Sequence, residues 1–231
     1  MLLVATTESL TVTVSETQAA YGRWARAYDW ICRLLPGLDG LRAGAVASLG
    51  LDHGDTVVDL GCGTGANFPH LRAAVSPSGT VVGVDLTSGM LAQAEQRIET
   101  AGWRNVHLVQ GDAARPPVAD VDGVLGTFVV GMLDDPASGV RAWLDCLTPG
   151  GQVAVLEATR TTHPLGGLLN PVFDSFVAAG APGSSAGNEA ARALDARVTE
   201  ARDALAAHGT LLRDERRVAG FVRSLVAEKQ A

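Results

Sequence analysis

Five short valine-rich runs, TVVDL (56–60), TVVGVD (80–85), VHLVQGD (106–112), DGVLGTFVV (122–130) and QVAVLEA (152–158), constrain this chain more than any other feature. Apolar runs without polar alternation belong to strands covered on both faces, the condition of a parallel sheet. Between them, residues 67–75, 88–101 and 137–146 carry helix formers with apolar residues three and four apart. Strand and helix in alternation build βαβ units, whose crossovers place helices over the sheet. The fold class expected is therefore α/β, a doubly wound Rossmann-like sheet that is mostly parallel. The turn clusters Ser76-Pro77-Ser78-Gly79 and Thr148-Pro149-Gly150-Gly151 stand directly before two of the runs, and Ser88 is placed to cap a helix.

After residue 158 the rhythm breaks. HPLGGLLNPVF and AAGAPGSSAGN are rich in Gly, Pro and small residues, so residues 160–190 are expected to form an irregular insertion. A long helix is expected over 189–207. TLLRDERRV and FVRSLVAEK then read as a C-terminal hairpin that adds an antiparallel strand. The 231 residues suffice for one α/β domain with its own core. The expected division is a flexible segment over 1–20 and a single domain over 21–231, with a helical lid over 21–50.

Hydrophobic content of 47% and charged content of 19% fit a soluble globular chain. No apolar run approaches the ~20 residues that span a bilayer. The N-terminal MLLVATTESLTVTVSETQ lacks the basic start and long apolar middle of a signal peptide, so a cytoplasmic protein is expected. A net charge of −7 disfavours nucleic acid as a partner. Cys32, Cys62 and Cys146 lie far apart without paired spacing, which argues against a disulfide framework or a zinc site, and no metal is expected.

The stretch VVDLGCGTGANF (57–68) carries the chemistry. Gly61, Gly63 and Ala66 satisfy the dinucleotide spacing G-x-G-x-x-G/A, whereas Asp59-x-Gly61-x-Gly63-x-Gly65 is a second pattern over the same residues. A pyrophosphate would meet the Asp59 carboxylate at short range, and like charges in a partly dry site repel. S-adenosylmethionine has no phosphate. Its ammonium and sulfonium suit an acid at the strand end, and its carboxylate can use loop amides and the following helix N-terminus.

The chain here resembles the class I S-adenosylmethionine-dependent methyltransferases. VVDLGCGTG is similar to their first motif and VVGVDLTSGML to the second. VQGDAARPP is similar to the third-strand motif and LTPGGQVAVLE to the stretch entering the fifth strand, all in the family's order over about two-fifths of the chain. The resemblance implies S-adenosylmethionine as cofactor. Asp59, Gly61, Gly63, Gly65 and Leu86 would hold it, Asp85 would bind its ribose, and Met90 would pack on the adenine. Asp112 would accept from the adenine amino group, and Ala113 would offer its backbone amide. Asp85 could instead only cap the next helix, Asp112 only form a turn with Gly111, and Met90 only fill the core.

On the acceptor side, Tyr21, Trp24, Tyr28, Ile31 and Leu35 fall on one helical face. Tyr-x-x-Trp-Ala-x-x-Tyr-Asp ahead of the first motif resembles the quinone and phospholipid-amine methyltransferases, which implies a lid in which Tyr21 and Tyr28 close over the cofactor. The Arg-Asn pair of the quinone enzymes is absent after strand four, where Thr127 and Phe128 are the wall candidates. His163, just beyond strand five, is the candidate base and a substrate-side residue. Asn170-Pro171-Val172-Phe173 lacks the second proline of the amino-methylating signature and falls too late in the chain. The apolar segment 165–186 reads either as acceptor cavity or as a homodimer contact. The function expected is methyl transfer to a small apolar acceptor that is quinone-, lipid- or phenol-like. The alternatives are an NAD(P)-dependent oxidoreductase, which the lack of a Tyr-x-x-x-Lys pair opposes, and a non-catalytic cofactor-binding domain.

Overall fold

A computed structural model describes residues 37–164, 166–180 and 187–230. Helix α1 (Leu38–Ala47) precedes β1 (Thr56–Leu60), α2 (Phe68–Val75), β2 (Thr80–Asp85), α3 (Ser88–Ala101), β3 (Val106–Gln110) and β4 (Val121–Thr127). Then follow α4 (Pro136–Asp145), β5 (Leu147–Ala158), α5 (Gly166–Gly180), α6 (Gly187–His208), β6 (Gly209–Arg217) and β7 (Val222–Lys229). The strands form one sheet in the order β3-β2-β1-β4-β5-β7-β6. β3 through β5 are parallel, and β7 runs antiparallel to both β5 and β6. This is the doubly wound, mostly parallel sheet with a C-terminal hairpin that the residue pattern predicts.

The valine-rich runs explain the layering. Successive residues of a strand face opposite sides. Val58, Leu60, Val124, Val153 and Val155 accordingly pack with Trp143 of α4 and Leu205 of α6. Val57, Leu125 and Leu156 pack on the other face with Leu49, Phe68 and Leu71. Val57–Leu60 of β1 is paired on one side with Val81–Val84 and on the other with Gly123–Gly126. The chain leaves β1 toward β3 and returns beside it as β4. The loops after β1 and β4 therefore diverge, which opens a crevice at the C-terminal ends of the strands.

Two local expectations change. The segment expected to be irregular is helical over Gly166–Gly180, with Pro171 inside the helix. A proline removes one helical N–H, and tertiary ties outweigh that loss. Asn170 accepts from the Thr161 amide at 3.0 Å and donates to the Thr161 carbonyl at 3.1 Å, and Arg160 pairs with Asp174 at 3.1 Å. The Asn-Pro-Val-Phe stretch thus serves as an anchor for the chain leaving β5. Leu168 and Val172 of this helix are exposed. Ser88 is the first residue of α3 and does not cap it. Thr87 is the N-cap, without a side-chain cap bond, and the Asp85 carboxylate takes the Thr87 N–H. The expectations for residues 1–20, for the lid residues 21–36 including Tyr21 and Tyr28, and for 165 and 181–186 lie outside the described residues.

Trp143 is the largest fully buried side chain, and its indole N–H donates to the Ala113 carbonyl at 2.7 Å. It ties α4 to the loop after β3. Trp143→Phe keeps most of the apolar area but strands a buried acceptor, so unfolding in urea is expected to show a loss of about 1–3 kcal/mol. Unchanged stability would show that this tie contributes nothing.

Candidate functional site

The loop after β1 folds back onto the end of β2. The Gly61 and Cys62 amides donate to the Val84 carbonyl at 2.9 and 3.0 Å, and the Gly63 amide donates to Asp85 Oδ2 at 2.9 Å. Gly61, Gly63 and Gly65 have φ of +69°, +54° and +74°, the left-handed region that side chains disfavour. That distinguishes the two spacings: the backbone demands glycine at 61, 63 and 65, whereas Ala66 has no such geometry. Gly61 also faces a neighbour, since a Cβ there would stand 2.5 Å from Val129 Cγ2.

Asp85 is half-buried at the tip of β2. One carboxylate oxygen accepts from Gly63 and the other from Thr87 at 2.8 Å. A carboxylate offers about four lone-pair sites, so each oxygen retains acceptor capacity toward the crevice. Leu86 beside it is exposed and Met90 is buried. One strand further out, Asp112 Oδ1 accepts from the Ala114 amide at 2.9 Å, and Ala113 is held by Trp143. Asp85 and Gln110 are register partners, so the loops after β2 and β3 sit side by side.

Asp59 stands differently from its neighbours. It is fully buried, directly before the loop, and the Asn67 amide donates to its two oxygens at 3.0 and 3.1 Å. The same Nδ2 reaches Thr127 Oγ1 at 2.9 Å, which links the loop to the end of β4. The Asn67 amide is turned as an ionised Asp59 requires, and its buried Oδ1 has no hydrogen-bond partner among the described residues. Burial pushes Asp59 up to about 7, opposed by the Asn67 hydrogen bond and then by the Arg42 charge. The acid therefore faces Asn67 and sits beneath the loop. Burial and the same two acids, Asp59 and Asp85, push the Cys62 thiol well up, which suits a packing role rather than a reactive one.

The acceptor-side candidates divide. Thr127 is buried at the end of β4, and Phe128 follows it with φ +56°, its amide donating to the Leu156 carbonyl at 2.8 Å. The Arg42 guanidinium lies 6.0 Å from the Phe128 ring centroid. His163 belongs to the turn entering α5: its amide donates to Thr161 Oγ1 at 3.0 Å, and its carbonyl accepts from Gly166 at 2.7 Å. Asn67, Arg42 and Trp143 escape sequence reasoning. Asn67 reads as a helix start, although α2 begins at Phe68. Arg42 and Trp143 read as ordinary helix residues until the sheet brings them to the loops. Among the described residues no acidic, histidine or cysteine cluster is placed to hold a metal, and no helix is long and apolar enough to cross a membrane.

Residues 57–151 match the family profile described as a methyltransferase domain. A demethylmenaquinone methyltransferase of Desulfitobacterium hafniense (strain Y51) is 32% identical over 64% of this chain and 60% of its own. The aklanonic acid methyltransferase DauC of Streptomyces sp. (strain C5) is 34% identical over 44% of this chain and 47% of its own. The chain thus spans about half to three-fifths of the length of these curated relatives. In fold it is similar to a SAM-dependent methyltransferase from Aquifex aeolicus, with a TM-score of 0.62 at 19% identity, covering 90% of this chain and 98% of that one.

The buried acid makes a prediction. Its pKa is raised in the folded state, so the folded chain holds more protons than the unfolded one between about pH 4 and 7. Stability from this group is complete below that window and is lost as pH rises through 7. The unfolding free energy of the wild type, minus that of Asp59→Asn, should fall by roughly 1 kcal/mol per pH unit between about pH 5 and 7. Denaturant titrations across that range check it, and a flat difference contradicts it.

Proposed function

We propose that this chain, whose residues 57–151 match a methyltransferase domain, transfers the methyl group of S-adenosylmethionine to a small apolar acceptor that is quinone- or phenol-like. The observation that carries the donor assignment is the fully buried Asp59 beneath the glycine loop. Negative charge under those amides opposes a pyrophosphate and favours a ligand with an ammonium and a sulfonium. The names of the two relatives, one a demethylmenaquinone and the other an aklanonic acid enzyme, support the acceptor class.

The residues fit the donor. The free lone pairs of Asp85 suit the two ribose hydroxyls, and Leu86 and Met90 border the adenine. Asp112 and the Ala113 amide, steadied by Trp143, read the adenine edge. The loop amides and the start of α2 suit the amino-acid carboxylate, and Asn67 carries the charge of Asp59 toward the ammonium.

The donor supplies a methyl group on a positive sulfur, open to in-line displacement. The carbon–sulfur bond breaks as the acceptor's bond to carbon forms, the sulfur departs as a neutral thioether, and any proton the acceptor loses passes to His163 and from there to solvent. The protein's own work is alignment and exclusion of water, which can supply several kcal/mol of the barrier. Thr127 and Phe128 form the wall where β4 ends, and His163 stands on the acceptor side as the candidate proton acceptor. The chain acts on a small molecule, in keeping with its acidic balance.

Calorimetry tests the donor first: S-adenosylmethionine and S-adenosylhomocysteine are expected to bind and NAD is not. Heat with NAD alone would support the oxidoreductase reading. Asp85→Ala should weaken S-adenosylhomocysteine by about 1–3 kcal/mol, because a charged hydrogen bond is lost; unchanged affinity would remove Asp85 from the ribose. Mass spectrometry of hydroquinone and phenol panels then reads the acceptor.

A further inference from the structure

Glu157, next to last in β5, is a carboxylate only 3% exposed, and no cation pairs with it among the described residues. Backbone amides receive it instead. Oε2 accepts from Gly131 at 3.2 Å and Oε1 from Ala158 at 3.1 Å, with the Val130 amide as a further donor. Val130, Gly131 and Met132 form a short 3-10 turn just past Phe128, where β4 opens into the crevice. The other backbone polar group of this residue is also held, because Arg197 of α6 donates to the Gly131 carbonyl at 2.8 Å. A Cβ on Gly131 would overlap Leu194 of α6, so the helix presses on the turn with no side chain between.

The charged groups around Glu157 are committed elsewhere. Arg223 is its register partner on β7, and its guanidinium holds Asp214 at 2.8 Å. Arg160, three residues on, pairs with Asp174, and Asp195 of α6 accepts the Arg160 amide. Arg197 is spent on the Gly131 carbonyl. The turn itself carries no titratable side chain.

We propose that Glu157 is a positioning residue: through the Val130 and Gly131 amides, its ionised carboxylate sets the turn that walls the acceptor side of the crevice. The acceptor part of this statement rests on the function proposed above, whereas the hold on the turn stands apart from it. An ionised carboxylate accepts from both amides. A protonated one turns one oxygen into a donor and loses part of that hold. Burial pushes Glu157 up to about 7, against the pull of the three amides, so the change falls near neutrality. Local and global effects then oppose each other. The raised pKa makes this group's contribution to overall stability fall as pH rises through 7, while the turn tightens over the same range.

Hydrogen exchange by mass spectrometry on the full chain separates the two. After correction for intrinsic rate, wild-type protection of the segment 128–133 is expected to rise several-fold between about pH 6 and 8.5. Glu157→Gln should hold that segment several-fold less at the upper pH, without the pH step. A flat wild-type profile, or a variant identical to wild type, overturns the proposal, and the wild-type profile alone decides should the variant fail to fold. With 1,4-naphthohydroquinone as probe, the variant should raise the acceptor KM several-fold while S-adenosylhomocysteine affinity stays within about twofold. A changed donor affinity with unchanged acceptor KM would overturn the acceptor-side role. Donor binding and the exchange step without wild-type turnover would support the hold on the turn and count against the acceptor class alone.

Discussion

A carboxylate shut off from water is the constraint on which this crevice depends. Asp59, next to last in its strand, lies under the glycine loop, and removing a charge from water is costly unless hydrogen bonds or opposite charges compensate. Asn67 supplies the hydrogen bonds and Arg42 a cationic attraction. The same Asn67 amide reaches Thr127, so the acid couples the loop after β1 to the end of β4. Those are the two lips of the switch point. A loop built over negative charge is a poor phosphate cradle and a good seat for a cation.

The rest of the sheet edge follows the same logic, in which backbone groups are held by side chains from the next element. Asp85 holds Gly63 and Thr87, Trp143 holds Ala113, Asn170 holds both backbone polar groups of Thr161, and Glu157 and Arg197 hold the N–H and the carbonyl of Gly131. Loops at a ligand crevice lack the ladder bonds that fix strands, so their backbone groups need partners from elsewhere. Each such side chain is thereby a lever on the position of a loop.

Much of the fold was legible in the residue order, and the reasons are physical. Runs such as TVVGVD can only be buried on both faces, and α3 carries a strong helical period, so its span is read directly. The hairpin was legible from its two apolar runs. The α5 segment was not, because its glycines and proline weaken local helix preference, and the ties that override it come from Thr161 and Arg160, outside the segment. In the site, the glycine positions and Asp85 were legible because backbone geometry and a strand end dictate them. Asn67, Arg42 and Trp143 were not, since each acts on a loop distant in sequence and carries no local signature.

The direct test is a crystal structure grown with S-adenosylhomocysteine and NAD at equal concentration. The account predicts density for the thioether nucleoside, with its ribose hydroxyls within hydrogen-bond distance of Asp85 and its amino-acid end over residues 61–67. A pyrophosphate lying on the Gly61–Gly65 amides would contradict it.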